Sequence, residues 1–394
     1  MRRLALFFFL ILSFSRAISQ DSVYLAHTGD PLAALEYGIG VDRLGGAKMS
    51  FLDSGVTLTV VDSFRDEYKI RLSQLHTAYI GKDHVVLTRK VADRETGNNE
   101  HLSGDWKIYG DDRADFVEIA LDSRLPYHSY QQINPSRIIV ELYGVTSNTN
   151  WINQLRSARE IRACWYEQTE DDLLRVIVEL RHPTFWGHSL YYDSSGRKLI
   201  LRVRRQPPSL DIRKLRIAID AGHGGGNRGS SGIVTGVLEK DYTLLFAKDL
   251  QSQLRTAGVR QVGMTRTKDT SLSMPERISI LKAFDPDFLI SLHLNASDQD
   301  TVRGVSTYYR YIGFRPLSQA LLNQLLSLGL HEFGNVGSFN FALNGPTDYP
   351  NALVEIAFLS NAQDEKRILN PKFRRAVAQK IYQGILGWLK EVRQ

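Results

Sequence analysis

The spacing of apolar and polar residues divides the chain into three regions. Between about residues 30 and 90, short runs such as 56–61 and 67–72 alternate with a period of two, which predicts β-strands. From about residue 105 to 205 the alternation continues, with charges on one face of each run. After residue 214, strand and helix patterns take turns, which predicts an α/β sheet covered by helices on both faces.

The third region is predicted to contain four strands and four helices. The predicted strands cover residues 216–221, 288–292, about 304–311 and 352–356, and the predicted helices cover about 242–258, 274–284, 316–331 and 371–391. We therefore expect a multidomain protein in which two all-β regions precede an α/β domain at residues 214–392.

Composition and charge narrow the classes of protein that the chain can belong to. It has 394 residues, 43% hydrophobic and 23% charged, as in soluble globular proteins of two or three domains. The formal net charge of +6 is a mild excess that gives no support for nucleic-acid binding and is compatible with an anionic polymer such as a cell wall. The one cysteine, Cys164, excludes an internal disulfide and is expected to be a small buried residue.

The first 19 residues are predicted to be a signal peptide. Arg2 and Arg3 precede an apolar run of 11 residues, 4–14, which is shorter than the ~20 residues that cross a bilayer. The small residues Ala17 and Ser19 predict cleavage after Ser19, and the alternative is a signal anchor that stays attached. We therefore expect an exported protein, periplasmic or otherwise extracytoplasmic, that associates with the cell wall without stable membrane insertion.

Ligand-type side chains lie at the ends of three predicted strands in the third region. His223 follows the strand 216–221, His293 follows the strand 288–292, and Glu355 lies in the strand 352–356. Glu239 lies at the start of a predicted helix, after a glycine-rich loop. The carboxyl ends of strands in open α/β sheets face one crevice, so we expect these four side chains to converge. Two imidazoles and one carboxylate suit catalytic zinc, with a second carboxylate left to transfer protons.

Each of these residues also has a structural interpretation. His223 alone fits a turn among glycines, His293 alone fits a hydrogen-bonded histidine at a strand end, and Glu239 alone fits a carboxylate favoured by a helix dipole. Glu355 is harder to explain in this way, because its apolar surroundings make an unpaired charge costly. One shared site accounts for all four positions more simply than four separate roles.

Six short motifs occur in a fixed order in the third region. They are DAGHGG at 220–225, LEKD at 238–241, MTRT at 264–267, PER at 275–277, ISLHLNA at 290–296 and LVEIAFLSN at 353–361. In this order they resemble the zinc-dependent N-acetylmuramoyl-L-alanine amidases of the amidase-3 type, over about residues 214–392. That family hydrolyses the amide bond between N-acetylmuramic acid and the L-alanine of peptidoglycan stem peptides.

The resemblance implies a role for each candidate residue. It implies one Zn²⁺ per catalytic domain, held by His223, Glu239 and His293. Glu355 is implied to be the catalytic glutamate. Asn295 and Asn361 flank the site, where contact with the substrate, contact with the ligands and a purely structural role are all open.

The two β regions resemble modules that accompany such enzymes. Residues 25–90 resemble a five-stranded bacterial SH3-like module, and a polar stretch at 93–100 reads as a linker. Residues 104–205 are similar to the AMIN module, a β-sandwich of two related sheets, with a generic sandwich as the alternative. We expect both regions to bind peptidoglycan as anchors.

Departures from the family pattern affect expectations about substrate and control. The family usually has proline where this chain has Ala221, and it often has arginine where this chain has Asn344, which bears on the preference for stem peptides. Members controlled by partner proteins carry a long helical insertion between the second histidine and the catalytic glutamate. Here these residues, His293 and Glu355, lie 62 positions apart. A predicted strand and a predicted helix occupy much of this interval, which leaves little room for a further helix. We therefore expect an open site that needs no activator.

Two other functions are alternatives to a zinc amidase. One is a catalytically inactive protein with an amidase-like fold that binds or scaffolds peptidoglycan, but such a protein has no need of Glu355. The other is a zinc carboxypeptidase, which typically carries its first ligands as His-x-x-Glu, whereas 15 residues separate His223 from Glu239.

Overall fold

A computed structural model describes residues 22–30, 32–40, 45–92 and 101–393. The predicted signal peptide and the predicted linker at 93–100 lie outside these described residues. Across the part of the chain that is described, no helix has both the length and the hydropathy needed to cross a membrane.

The first region is a single antiparallel sheet of seven strands. The strands are β1 (Ser22–Thr28), β2 (Ala33–Glu36), β3 (Lys48–Leu52), β4 (Thr57–Phe64), β5 (Glu67–Arg71), β6 (Thr77–Gly81) and β7 (Val85–Ala92). Their order in the sheet is β3-β2-β6-β5-β4-β1-β7. The expectation of five strands was therefore too low. β1 begins before the predicted region, and β7 is mostly exposed, so it lacks the alternating apolar positions that identify a strand.

The second region consists of two sheets, as predicted. Its strands are β8 (His101–Gly110), β9 (Ala114–Leu121), β10 (Tyr127–Gln132), β11 (Arg137–Tyr143), β12 (Val145–Ser147), β13 (Ile152–Gln154), β14 (Ile161–Glu170), β15 (Leu173–Leu180), β16 (His188–Tyr192) and β17 (Lys198–Arg204). One sheet has the order β10-β11-β15-β14, and the other has the order β12-β8-β9-β17-β16, with β13 beside β8. Each half of the region gives one hairpin to each sheet, which explains the recurring strand pattern. Burial raises the pKa of the Cys164 thiol, as suits an unreactive side chain.

The third region is an α/β sheet with helices on both faces, as predicted. Its elements are β18 (Arg216–Ala221), α1 (Glu239–Thr256), β19 (Gln261–Met264), α2 (Met274–Phe284), β20 (Phe288–Asn295), β21 (Val305–Tyr308), α3 (Arg315–Leu326), β22 (Glu332–Val336), β23 (Asn351–Phe358), α4 (Ala362–Ile368) and α5 (Pro371–Val392). The sheet has the order β19-β18-β20-β23-β21-β22, parallel except between β21 and β23. The side chains of Ile217 and Ile219 pack with α1, α3 and α5 on one face, and Ala218 packs with α2 on the other.

Local signals set some element boundaries better than others. Ser273 caps α2 and forms a capping box with Glu276, so this helix begins and ends where the sequence predicts. The predicted helix 316–331 instead ends at Leu326, because Gly329 turns the chain with a φ of 70° into the exposed edge strand β22. β19, β22 and α4 are short elements that the sequence pattern did not indicate.

The second and third regions are joined by buried contacts. Trp186, which precedes β16, packs against Trp388 of α5, with ring centroids 5.3 Å apart. The buried Arg204 at the end of β17 donates to Asp285 and Asp287 at 3.0 and 2.9 Å. Removing either region would expose apolar surface and leave a buried charge unpaired. The second region therefore contributes to the stability of the α/β region.

Candidate metal centre

The loop after β18 holds His223 in a fixed and unusual conformation. His223 has a φ of 60°, a region that residues other than glycine rarely adopt. Two buried arginines fix the carbonyl groups that lead into it: Arg277 donates to Ala221 O at 2.9 Å, and Arg266 donates to Gly222 O at 2.8 Å. Position 222 must be glycine, because a Cβ there would lie 2.3 Å from the His293 ring. The two arginines and the close approach of Gly222 to the His293 ring therefore fix the position of the loop.

The carboxylate of Asp220, near the end of β18, supports the His223 loop through Arg277. It is fully buried and accepts hydrogen bonds from Thr265 Oγ1 and Ser291 Oγ, both at 2.7 Å, and from the guanidinium of Arg277. Burial opposes ionisation, but the charge of Arg277 and the two hydroxyl groups outweigh it and lower the pKa of Asp220. The carboxylate is therefore ionised and orders the guanidinium that supports the His223 loop.

Glu239, the first residue of α1, bridges the two histidines. Its Oε1 lies 3.0 Å from His223 Nε2 and 3.1 Å from His293 Nδ1, and one ligand atom from each residue falls within 4.8 Å of the other two. Backbone N–H groups of Leu294 and Ser230 donate to the two carboxylate oxygens at 3.0 and 2.8 Å. Although burial opposes ionisation, the two imidazoles lower the pKa of Glu239, so the site contains a fixed negative charge.

Hydrogen bonds hold the His223 ring beside Glu239. Asn227 Oδ1 lies 2.8 Å from His223 Nδ1 and also accepts from Gly229 N, so Nδ1 is engaged by the loop and Nε2 faces Glu239 Oε1 at 3.0 Å. Ligand atoms in a tetrahedral zinc site are about 3.3 Å apart, which is close to the distances of 3.0 and 3.1 Å from Glu239 Oε1 to the two imidazoles. His223, Glu239 and His293 therefore fit such a metal in their chemistry, and the two distances measured from Glu239 fit its spacing.

Glu355 lies on the strand next to His293. In the parallel pair β20–β23, Glu355 is the Cα partner of His293, and across β21 it is the partner of Ser306. Burial together with the charge of Glu355 raises the pKa of Tyr308, and that charge also acts on His293. The structure therefore brings all four predicted side chains, three candidate ligands and one further carboxylate, to the same edge of the sheet.

The two flanking asparagines have different surroundings. Asn361 Oδ1 caps α4 by accepting from the N–H groups of Gln363 and Asp364, both at 3.1 Å, and its amide donates to a backbone carbonyl. Asn295 is only half-buried, and its Nδ2 lies 3.4 Å from Tyr308 OH, beside the site. A structural role therefore accounts for Asn361, while contact of either residue with substrate stays a prediction.

An aromatic wall beside the histidines was missed by the sequence analysis. Phe341 packs edge-on against His293 with centroids 5.4 Å apart, and Phe339 packs on Tyr308 at 4.4 Å. These phenylalanines lie in an irregular segment, 337–341, outside the predicted strands and helices. Asn344, in the position where arginine was expected, is buried and donates to Asn351 Oδ1 at 3.1 Å, so it faces the interior.

The chain between the second histidine and the glutamate contains no inserted helix over the site. Within residues 294–354, all of which are described, α3 is the one α-helix, and it packs on the α5 face of the sheet. This agrees with the predicted lack of an occluding insertion. Independence from an activator stays a prediction.

The third region matches a family of known proteins. Residues 217–387 match the family Amidase_3, described as N-acetylmuramoyl-L-alanine amidase. The match runs from β18 into α5 and contains all four site residues.

Two curated proteins and one solved structure are similar to the chain. It is 31% identical over 179 residues to the N-acetylmuramoyl-L-alanine amidase LytC of Bacillus subtilis (strain 168), covering 44% of this chain and 35% of that protein. It is 33% identical over 170 residues to the probable cell wall amidase LytH of Staphylococcus aureus, covering 43% and 56%. An N-acetylmuramoyl-L-alanine amidase structure from Clostridium difficile 630 is 32% identical, covering 45% of this chain and 98% of that one, with a TM-score of 0.44. The chain thus spans about a third to just over half of these curated relatives.

Proposed function

We propose that this protein is a zinc-dependent N-acetylmuramoyl-L-alanine amidase, which hydrolyses the amide bond between N-acetylmuramic acid and L-alanine in peptidoglycan. The observation that carries the proposal is the bridging of two imidazoles by the ionised carboxylate of Glu239, with Glu355 on the adjacent strand. The family match supports the substrate class. No observation favours the inactive scaffold over the enzyme.

His223, Glu239 and His293 would hold one zinc ion. When bound, zinc supplies a Lewis acid that polarises the amide carbonyl and activates the attacking water. The protein's part is to hold the ligands rigid. Asn227 fixes the His223 ring through Nδ1, and two backbone N–H groups fix the oxygens of Glu239, which is the kind of outer support that metal sites require.

Glu355 would carry the proton during hydrolysis. A carboxylate beside the ligand cluster is able to take the proton of the attacking water and deliver it to the amide nitrogen, which otherwise leaves as a poor anionic group. The strand register keeps Glu355 next to His293, and Glu355 is not part of the cluster of three ligand atoms, so it would remain available for proton transfer.

We further propose that the protein acts outside the cytoplasm, on the cell wall. This rests on the predicted signal peptide and on the similarity to proteins named as cell wall amidases. Peptidoglycan would be both substrate and anchor, with the SH3-like and AMIN-like regions as anchoring modules. Neither nucleic acid nor an activating protein is part of the proposal.

Product analysis by mass spectrometry tests the activity and the metal together. The chain from residue 20 onward is incubated with purified peptidoglycan, with and without a chelator, and then with zinc restored. The second region is kept, because Trp186 packs against Trp388 in the third. We expect stem peptides with a free N-terminal L-alanine, lost with the chelator and regained with zinc.

The same experiment discriminates between the candidate functions. No release from a protein that holds zinc would favour the inactive scaffold. Release of C-terminal amino acids from stem peptides would favour the carboxypeptidase. Release by the purified chain alone would support the open site, whereas strong stimulation by a partner protein would contradict it.

A further inference from the structure

A second cleft lies where the three regions of the protein meet. Its volume is about 610 Å³, within the range of 300–1,000 Å³ typical of sites for small ligands. Tyr37 comes from the first region, His128 and Tyr130 come from the second, and Ser338 and Asn340 come from the third. None of the four residues of the metal centre lines it, and neither the family match nor the relatives assign it a role.

Aromatic rings form one side of this cleft. Tyr37 stands edge-on to His128, with centroids 6.0 Å apart, and His128 lies 5.7 Å from Tyr130. Tyr37 is 57% exposed, so its ring is accessible to a ligand in the cleft. The rings hold one another in place, so their flat apolar faces are already arranged before a ligand binds.

The charged groups of the cleft are largely committed to the protein itself. Arg175 and Tyr143 donate to the carboxylate of Glu141 at 2.9 and 3.0 Å. Lys48 is paired with Glu36.

Arg310 is likewise occupied. It donates to the Lys48 carbonyl and lies over the ring of Tyr311 at 5.5 Å. A cleft with flat apolar rings and internally satisfied charges suits a neutral, hydroxyl-bearing ligand better than a charged peptide.

The cleft and the metal centre share one wall. In the segment 337–341, Ser338 and Asn340 line the cleft, while the alternate residues Phe339 and Phe341 pack on Tyr308 and His293. A polymer bound in the cleft would therefore run beside the site where the proposed reaction occurs.

We propose that this cleft binds the glycan strand of peptidoglycan. Pyranose rings offer apolar C–H faces that stack on aromatic side chains, and their hydroxyl groups pair with tyrosine and serine hydroxyls. The proposal rests on the proposed function, since the scissile amide joins a stem peptide to the glycan, and a glycan held along this wall brings that amide to the metal centre.

Binding to glycan chains stripped of their stem peptides, with the lactyl carboxylates that stripping exposes converted to methyl esters, tests this proposal separately from the activity, because such chains are neutral and contain no scissile amide. The parent chain from residue 20 onward and its variants Tyr37→Ala and Tyr130→Ala are each titrated with these glycans. Phe64→Ala is the matched control, since Phe64 is 50% exposed in the first region but does not line the cleft. Melting temperatures check that each variant is folded.

We expect each tyrosine variant to bind stripped glycan about three- to tenfold more weakly than the parent, with the control unchanged. Equal affinity in all four proteins would overturn the proposal. Binding of free stem peptide that the two tyrosine substitutions weaken, with no binding of stripped glycan, would also overturn it and make the cleft a peptide site. If stripped glycan binds as expected but no stem peptide is ever released from intact wall, the proposed amidase activity fails while the glycan site stands.

Discussion

His293 and Glu355 are direct neighbours across the parallel strands β20 and β23. A slip of one residue in this register would turn Glu355 to the opposite face of the sheet, away from the histidines. Buried residues on both faces of these strands hold the register, so the packing of the core also sets the distance between a proposed metal ligand and the proposed proton carrier.

Replacing Glu355 with glutamine is expected to separate metal binding from chemistry. Glu355→Gln keeps the shape of the side chain but removes its capacity to take a proton, so release of stem peptides should fall by at least about 100-fold. Zinc content, measured by mass spectrometry, should stay the same. Glu391→Gln, at an exposed position of α5, is the control and should keep full activity. Loss of zinc from Glu355→Gln would instead make Glu355 a ligand.

The arginine beneath the His223 loop is expected to contribute strongly to stability. Arg277→Ala leaves Asp220 buried without its cationic partner, which should cost about 3–5 kcal/mol in the free energy of unfolding, measured by urea denaturation. Arg277→Lys should recover only part of this, because an ammonium cannot also reach the carbonyls of Ala221 and His223. The exposed Arg260→Ala should change stability by less than about 0.5 kcal/mol. Equal denaturation midpoints for all the variants would contradict the role of Arg277.

Glu141 is expected to make stability depend on pH in the acid range. The nearby His128 imidazole, with Arg175 and Tyr143, lowers the pKa of Glu141 from 4.5 to about 2 despite its burial. As pH falls, the unfolded chain therefore takes up this proton first, and stability that is present above about pH 4.5 is lost on the way down to about pH 2.

The variant Glu141→Gln lacks this contribution at every pH. Its stability deficit relative to the parent should therefore shrink by about 2 kcal/mol between pH 6 and pH 2.5, after allowance for partial solvent screening. Denaturation of both proteins across this range measures the deficit. A deficit that stays constant with pH would show that folding does not lower the pKa of Glu141.

Asn340 is expected to position the aromatic wall beside the metal centre. Its amide donates to Gly46 O at 2.7 Å and accepts from Lys48 N at 3.2 Å, which ties the wall to the first region. Asn340→Ala should free Phe341, so KM for peptidoglycan should rise about three- to tenfold with a smaller change in kcat. Asn323→Ala, on the exposed face of α3, should leave both constants unchanged. A fall in melting temperature without any change in KM would indicate a purely structural role.

Much of the metal centre could be predicted because parallel strands impose a simple geometry. His223 and His293 both follow apolar runs, and such runs end at one edge of an α/β sheet. The start of α2 was predictable for a similar reason, since the cap at Ser273 and the proline at 275 are local signals. Where a short-range pattern specifies the backbone, the residues that carry it can be placed from the sequence.

The supporting residues could not be placed in that way. Arg266 and Arg277 lie in motifs visible in the sequence, yet nothing local indicates that their guanidinium groups meet the carbonyls of the His223 loop. The seven strands of the first region were undercounted because exposed strands lose the alternation that burial imposes. The contacts of Arg266 and Arg277 with the His223 loop join residues that are distant in the chain.

The sequence by itself indicated the type of each region, the four residues of the candidate metal centre and the strands, loop and helix on which they lie. These follow from periodicity and from strand ends, which depend on neighbouring residues alone. Only the tertiary structure decided that Asn340 ties the aromatic wall to Gly46, nearly 300 positions earlier, and that a cleft opens where the three regions meet. Such features depend on how separately formed surfaces pack together, and no short-range pattern encodes that packing.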